Sequence, residues 1–384
     1  MIFKFSSPPK SKIIIFDGAA LQDLKFVIED KSYLVIENRK ERIKVIYLGI
    51  FFLINYLKKI FLNLSKINNL HTIYLLTLIE MINPRIVLTS IDNSFKFSDL
   101  ARLVDKKIKF IAIQNANRFD FELNEYKFKK KLINKDLNKK YYYIPHYFCF
   151  GQNEVEEIKK YNLNVNKISK IGSLRTANFH EYLKRSDIEL SKNKYDLCLI
   201  SEPAHNLNKH LNCESFEQTI AQIASNTIKY SIQHNLRFVF LQKKTLNSEE
   251  FYKEFKFYEK YLNKSEIDYL KKNLNFEYKN FSSYFGLFQS HVAIGSQSTL
   301  LSDKIGCKEK ILAISPTEDL PHKFKLGGIC KLIGNDYNKF ENRLSEILKI
   351  NIDEYLSKLD RPTEYIMEFD KDSSVITKIR NHLF

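Results

Sequence analysis

Short apolar runs closed off by polar residues recur along the whole chain. Lys12–Phe16 (K-I-I-I-F), Ser32–Ile36, Arg85–Thr89, Ile108–Ile113, Tyr147–Phe150 and Lys167–Ile171 form a first set, rich in β-branched or aromatic residues. That is the composition of strands buried on both faces. Amphipathic helical patterns fall between several of them, Gly151–Lys160 among these, and such alternation predicts a mainly parallel sheet with helices on both faces. The pattern then restarts with Tyr195–Ile200, Leu236–Leu241, His291–Ile294 and Lys310–Ile314. Helical spacing covers Cys213–Gln233, Ser248–Leu262, Phe281–Phe288 and a closing Ser373–His382. The polar stretch His180–Lys194 separates the two sets, and 384 residues suit two domains of ordinary size. The expected fold is therefore α/β, two Rossmann-like domains facing across a cleft, residues 1–184 and 185–384.

In parallel sheets ligands bind beyond the carboxyl ends of the strands, so the residues after each run are the candidates. The first half offers Asp17 and Gly18, then Asp92, Asn93 and Ser94, then Gln114, Asn115, Asn117 and Arg118, then Ser173 and Arg175. The second half offers Ser201-Glu202-Pro203, Gln242-Lys243-Lys244, Gly295-Ser296-Gln297-Ser298-Thr299 and Ser315–Asp319. Gly295–Thr299 leads from a strand into the helical pattern opened by Leu300 and Leu301. Unpaired N–H groups at a helix start and the helix dipole favour an anion there, and a glycine lets a phosphate approach the backbone. Ser298 or Thr299 serves equally as an ordinary helix cap, and Asp92–Ser94 as a cap for the pattern from Phe95.

Composition narrows the partners. Lysine and arginine exceed acidic residues by 61 to 45, a formal charge of +16 that attracts phosphate-bearing substrates, anionic lipid or nucleic acid. The excess is scattered, and no zinc-finger spacing or RNA-binding signature accompanies it, so nucleic acid is not expected. The densest basic stretch, Lys127–Tyr143, reads as a solvated connection, with contact to anionic lipid as the alternative. Five widely spaced cysteines fit small buried hydrophobes in a reducing cytosol, and Met1–Ser7 followed by Pro8 and Pro9 does not read as a signal peptide. A cytoplasmic location follows as the expectation, with peripheral contact at the inner face of the membrane as its variant. Ile46–Leu57 is too short to cross a bilayer and is expected to form a buried core helix, the alternative being an interfacial one.

No G-x-G-x-x-G and no G-K-[ST] occurs, which argues against NAD enzymes and P-loop NTPases. Two α/β halves with a nucleotide-type seat in the second describe the GT-B glycosyltransferase architecture. The runs T-S-I-D-N-S (Thr89–Ser94), F-I-A-I-Q-N-A-N-R (Phe110–Arg118), I-G-S-L-R (Ile171–Arg175) and I-G-S-Q-S-T-L-L (Ile294–Leu301) resemble a bacterial family of surface carbohydrate biosynthesis proteins, linked to O-antigen and capsule assembly. Ala116 stands where that family would have glycine. The second half also resembles sialyl- and Kdo-type transferases, which implies a CMP-activated Kdo or nonulosonic acid as donor. Ser298 and Thr299 match their hydroxyl pair at a helix start, whereas Gln242-Lys243-Lys244 replaces their His-Pro pair.

The expected reaction is sugar transfer from a nucleotide donor in the second domain to a glycan or lipid-linked glycan acceptor in the first. Asp92 is the expected general base, with Glu202 and Asp17 in reserve; Asn93, Gln114, Asn115, Arg118 and Arg175 would line the acceptor side. Gln242, Lys243, Gly295, Ser296, Gln297, Ser298 and Thr299 would hold the nucleotide and its leaving phosphate. No D-x-D occurs in the first half, so metal independence is expected, with no cofactor beyond the nucleotide-sugar co-substrate. His205 and His210 follow Glu202 closely and fit a hydrated loop as well as a site. A nucleotide-sugar 2-epimerase, a polyol-phosphate transferase or a non-catalytic partner in surface-glycan assembly would use the same scaffold.

Overall fold

The computed structural model describes the chain apart from residues 30, 40–42, 64–68, 105–106, 118–141, 204–214, 244–247, 276–279, 316–323 and 369–373. Strands β1 (Ile2–Lys4), β2 (Ile13–Phe16), β3 (Leu34–Ile36), β4 (Val45–Tyr47), β5 (Ile86–Thr89), β6 (Lys109–Ile113), β7 (Tyr143–Cys149) and β8 (Asn164–Lys170) belong to the first half. Six of them form one parallel sheet in the order β3-β2-β5-β6-β7-β8, while β1 and β4 pair separately. Between them lie α1 (Leu21–Ile28), α2 (Ile50–Asn63), α3 (Leu70–Ile82), α4 (Phe95–Leu103), α5 (Gln152–Lys160) and α6 (Leu174–Arg185). The two-residue period of β2 sorts its side chains: Ile14 and Phe16 pack toward α3 and α4, while Ile13 and Ile15 pack toward α1 and α6. Two buried layers on one sheet explain why its strands read as continuous apolar runs.

The second sheet is also parallel, with β9 (Tyr195–Ile200), β10 (Phe238–Leu241), β11 (Ser290–Gly295), β12 (Lys310–Ser315) and β13 (Lys331–Ile333) in the order β10-β9-β11-β12-β13. Its helices are α7 (Ser215–Gln233), α8 (Glu249–Glu259), α9 (Lys264–Lys272), α10 (Ser282–Phe288), α11 (Thr299–Gly306), α12 (Tyr337–Lys349) and α13 (Ile352–Ser357). In both sheets the strand order reverses beside the first strand of the set, which places a crevice at the carboxyl ends of β2 and β5 and of β9 and β11.

Two expectations need correction. The range 185–384 does not stay with the second sheet to its end, because α14 (Ser374–Leu383) returns to the first half. Its Val375, Ile376 and Ile379 share a core with Ile13, Ile15 and Leu88, and Arg380 donates to the Phe26 carbonyl at 2.6 Å. Nor is Ile46–Leu57 one buried helix. Its first residues form β4, and α2 buries only the face that sets Phe52 and Tyr56 against Tyr74 of α3. The helix next to the sheet is α3, so α2 is an outer layer with its far side in solvent. Among the described residues no helix is long and apolar enough to cross a membrane. The basic stretch from Lys127 lies outside the described residues as far as 141.

Candidate functional site

The turn between β11 and α11 is an anion seat, and a carboxylate of the protein occupies it. Glu202, just past the end of β9, accepts the Gln297 N–H at Oε1 (2.7 Å) and the Ser296 N–H at Oε2. Gly295 makes this approach sterically open, since a Cβ there would stand 2.8 Å from Glu202 Oε2. Burial raises the Glu202 carboxyl above its ordinary value; the N–H groups of the turn and the charge of Lys243 pull the other way. Tyr258, fully enclosed, supports the loop by receiving the Glu202 N–H on its hydroxyl at 3.2 Å. The side chains of the turn divide in two. Ser298 caps α11 by accepting the Leu300 N–H at 3.3 Å. Ser296 Oγ and Gln297 Nε2 are buried atoms without a hydrogen-bond partner among the described residues.

On the first half, the polar strand exits are occupied by folding. Asp17 accepts the Ala19 N–H at 3.0 Å and pairs with Arg39 at 3.3 Å. Asp92 is 2% exposed, and the buried Tyr147 hydroxyl donates to its Oδ2 at 2.8 Å. Asn93 beside it is exposed, and Ser94 caps α4 by accepting the Phe97 N–H. Gln114 ties β6 to β7: its Oε1 accepts the Phe150 N–H at 2.7 Å and its Nε2 donates to the Ala116 carbonyl at 3.1 Å. Asn115 is half-buried next to it. Arg175 makes a two-pronged pair with Asp23 (2.8 and 3.2 Å), whose Oδ2 also accepts the Ser90 hydroxyl. Arg118 lies outside the described residues, as do Lys244, His205 and His210.

In the second half, Gln242 brackets the Asn275 backbone, donating to its carbonyl at 2.9 Å and accepting its N–H at 3.3 Å. The Lys243 N–H binds Glu254 at 2.9 Å and leaves the lysine side chain exposed. Gln242 therefore supports the strand exit, and Lys243 supplies charge to it.

The two halves meet at α11. The Asn117 N–H donates to the Thr299 hydroxyl at 3.0 Å, and its amide donates to Ser302 Oγ at 2.8 Å. One turn further on, the fully buried Asp303 accepts Thr176 of α6 at 3.0 Å and Tyr284 at 2.8 Å. Burial pushes this carboxyl up as well, against the hydroxyl donors around it. A small pocket of about 20 Å³ opens at the junction, between Asn117, Phe150 and Asn153 on one side and Ser302, Phe324 and Lys325 on the other. The anchoring roles of Asn117, Tyr258 and Asp303 escape sequence reasoning. Asn117 and Asp303 carry a signal in hindsight, since each is a polar residue in a motif otherwise accounted for by turns and caps.

No family model matches the sequence, and no curated protein matches it. Among solved structures the chain is similar to UDP-GlcNAc 2-epimerase from Neisseria meningitidis bound to UDP-GlcNAc, at 15% identity and a TM-score of 0.52 over 97% of this chain and 98% of that one. It is also similar to a variant of the wall teichoic acid polymerase TagF, at 10% identity and a TM-score of 0.53 over 98% of this chain and 89% of that one. The same polymerase soaked with CDPG gives 11% identity and a TM-score of 0.50. At these identities the likeness shows the fold, which is the GT-B type: two Rossmann-like α/β units, as the sequence leads one to expect.

Proposed function

We propose that this chain is a GT-B enzyme of surface-glycan synthesis that binds a nucleotide-activated sugar, with the donor's phosphates at the start of α11. The observation that carries the reading is the Glu202 carboxylate on the Ser296 and Gln297 N–H groups. A site that holds one oxyanion through two backbone donors offers the same donors to a phosphate oxygen. The donor takes the seat by displacing Glu202, and Lys243 faces the leaving phosphate. Ser296 Oγ and Gln297 Nε2, unpartnered in this arrangement, gain a ligand. The acceptor, a glycan or lipid-linked glycan, enters from the first half across the Asn117 junction. Asp92 is not carried over as the base in this reading, because it is enclosed and holds Tyr147.

Displacement fixes a sign. Protonation of Glu202 weakens its hold on the N–H groups, and its carboxyl is raised by burial, so donor affinity rises as pH falls through that raised value. The pyrophosphate diester of a nucleotide-diphosphate sugar keeps its charge over the same range. The experiment is calorimetry with CMP, CDP, UDP, GDP and dTDP, then with the sugar nucleotide of the base that binds. Glu202→Ala should tighten binding by about tenfold to a hundredfold, the value of a hydrogen-bonded charged group, and should flatten the pH dependence. Weaker binding by Glu202→Ala at unchanged melting temperature would mean that the carboxylate builds the nucleotide site; no binding by any nucleotide would end the reading.

The end-to-end likeness to an epimerase favours one second reading, conversion of a nucleotide sugar without an acceptor. Incubation of the preferred donor alone, followed by product analysis, separates the two: an epimerised donor supports this reading, and an unchanged one supports transfer.

A further inference from the structure

We infer that the outer face of α2, with the N-terminal segment beside it, is a docking surface for an anionic lipid bilayer. Ile50, Phe51, Ile54, Leu57, Phe61 and Leu62 are 52% to 74% exposed. Their spacing of three, four and seven residues puts them along one stripe of the helix, opposite the face that packs on α3. The N-terminal segment extends the patch. Leu48 donates its N–H to the Lys4 carbonyl at 2.7 Å, and Gly49 sits against the Ser6 backbone, so exposed Ile2, Phe3 and Phe5 lie at the start of α2. Soluble monomers seldom expose contiguous apolar surface on this scale, and where they do it marks an interaction site.

Charge selects the occupant. From Met1 to Phe16 and from Arg42 to Ile79 the sequence contains no aspartate or glutamate, and Lys4, Lys44 and Lys58 are exposed around the stripe. The carboxylate that flanks α2 among the described residues, Glu80, is already paired with Lys59, so a second copy of this face would set Lys4, Lys44 and Lys58 against lysines. An anionic headgroup layer neutralises them while the stripe enters the headgroup–acyl boundary, the geometry of an interfacial amphipathic helix. The surface is independent of the α11 seat and places the chain on a membrane without crossing it.

The test is co-sedimentation of the full chain with vesicles of phosphatidylcholine alone and of phosphatidylcholine with 30% phosphatidylglycerol, about 150 mM salt being used as the reference condition. Binding should be confined largely to the anionic vesicles and should fall at least tenfold in the double variant Phe51→Ser, Phe61→Ser. Both positions are exposed, so the melting temperature should not change; Ile232→Ser, on the exposed side of α7, should bind like the parent. Failure of the parent chain to bind anionic vesicles would overturn the proposal. So would light scattering that shows a dimer which the double variant turns into a monomer, since the stripe would then be a subunit interface.

Discussion

Each half of this protein places a glycine-containing turn at the end of a central strand, and each turn holds carboxylates on its backbone N–H groups. In the first half the Gly18 N–H meets Glu37 at 3.1 Å, Asp17 turns back onto Ala19, and Arg39 stands beside Asp17. Asp17 has φ near 71°, a left-handed conformation tolerated because its side chain bonds locally. In the second half the Gly295 turn holds Glu202 on two N–H groups, and Ser296 Oγ and Gln297 Nε2 remain without partners among the described residues. A turn that serves folding alone satisfies its polar groups, because each buried and unpaired one costs about 1–3 kcal/mol. The excess of polar capacity at Gly295–Ser298 fits the ligand site proposed there, whereas Gly18 and Asp17 are engaged by contacts within the fold.

The largest effect expected from this contrast is on stability. Behind the second turn, Lys304 is fully buried and donates to the Leu287 and Ser290 carbonyls, both at 2.8 Å, while pairing with Glu309 at 2.7 Å. Lys304→Ala removes a charged donor from two carbonyls and from the partly exposed Glu309, the Leu287 carbonyl keeping only the Ser290 hydroxyl, and urea denaturation should show a loss of about 3 kcal/mol. The first half's nearest equivalent, the Arg175–Asp23 pair, is half-exposed on its arginine side. Arg175→Ala should cost about 2 kcal/mol, because water reaches the arginine side while the buried Asp23 keeps the Ser90 hydroxyl. Equal losses in the two variants would mean that the second turn is no more demanding than the first.

The sequence reads the strands well because burial on both faces leaves one signature, unbroken apolar runs rich in isoleucine, as in Ile13–Phe16 and Ile86–Thr89. The polar exits were equally legible as positions. Their uses were not, since each use depends on a partner far away in sequence: Tyr147 for Asp92, Phe150 for Gln114, Ser296 and Gln297 for Glu202, Thr299 for Asn117. Gly295–Thr299 was recognisable as a place for an anion, but nothing local says that the chain supplies one. The misreading of α2 has a similar cause. A helix with apolar residues all round looks buried, and only the packing of α3 against the sheet shows that the inner place is taken. The return of α14 to the first core is hidden likewise, because an amphipathic tail does not name its sheet.

A smaller effect tests Asp92, the carboxylate first read as the general base. Asp92→Asn keeps an acceptor for the Tyr147 hydroxyl but makes the hydrogen bond neutral, and charge-assisted bonds are about twice as strong as neutral ones. The expected outcome is a stability loss of about 1 kcal/mol with turnover of the identified donor within tenfold of the parent. A fall of 10² to 10⁴ in turnover, the usual value of general-base help, at unchanged donor affinity would make Asp92 the base and give the first half a catalytic exit after all.

The smallest effect is expected at the seam between the halves, and it tests what the hydroxyls of the second turn do. Ser298 is engaged as the cap of α11 and Thr299 as the acceptor for Asn117, so neither hydroxyl is left over for a donor phosphate in the way that Ser296 is. Thr299→Val preserves shape and β-branching and removes only the acceptor. The Asn117 N–H it leaves behind is partly exposed, so water compensates and the net loss should be about 0.5 kcal/mol, near the lower limit for a hydrogen bond. In a chain of this size that corresponds to about 1 °C in melting temperature, measurable by calorimetry against the parent. Nucleotide affinity should stay within twofold. A tenfold loss of affinity at the same small change in melting temperature would show that the Thr299 hydroxyl leaves Asn117 for the donor, and that the seam itself is part of the nucleotide site.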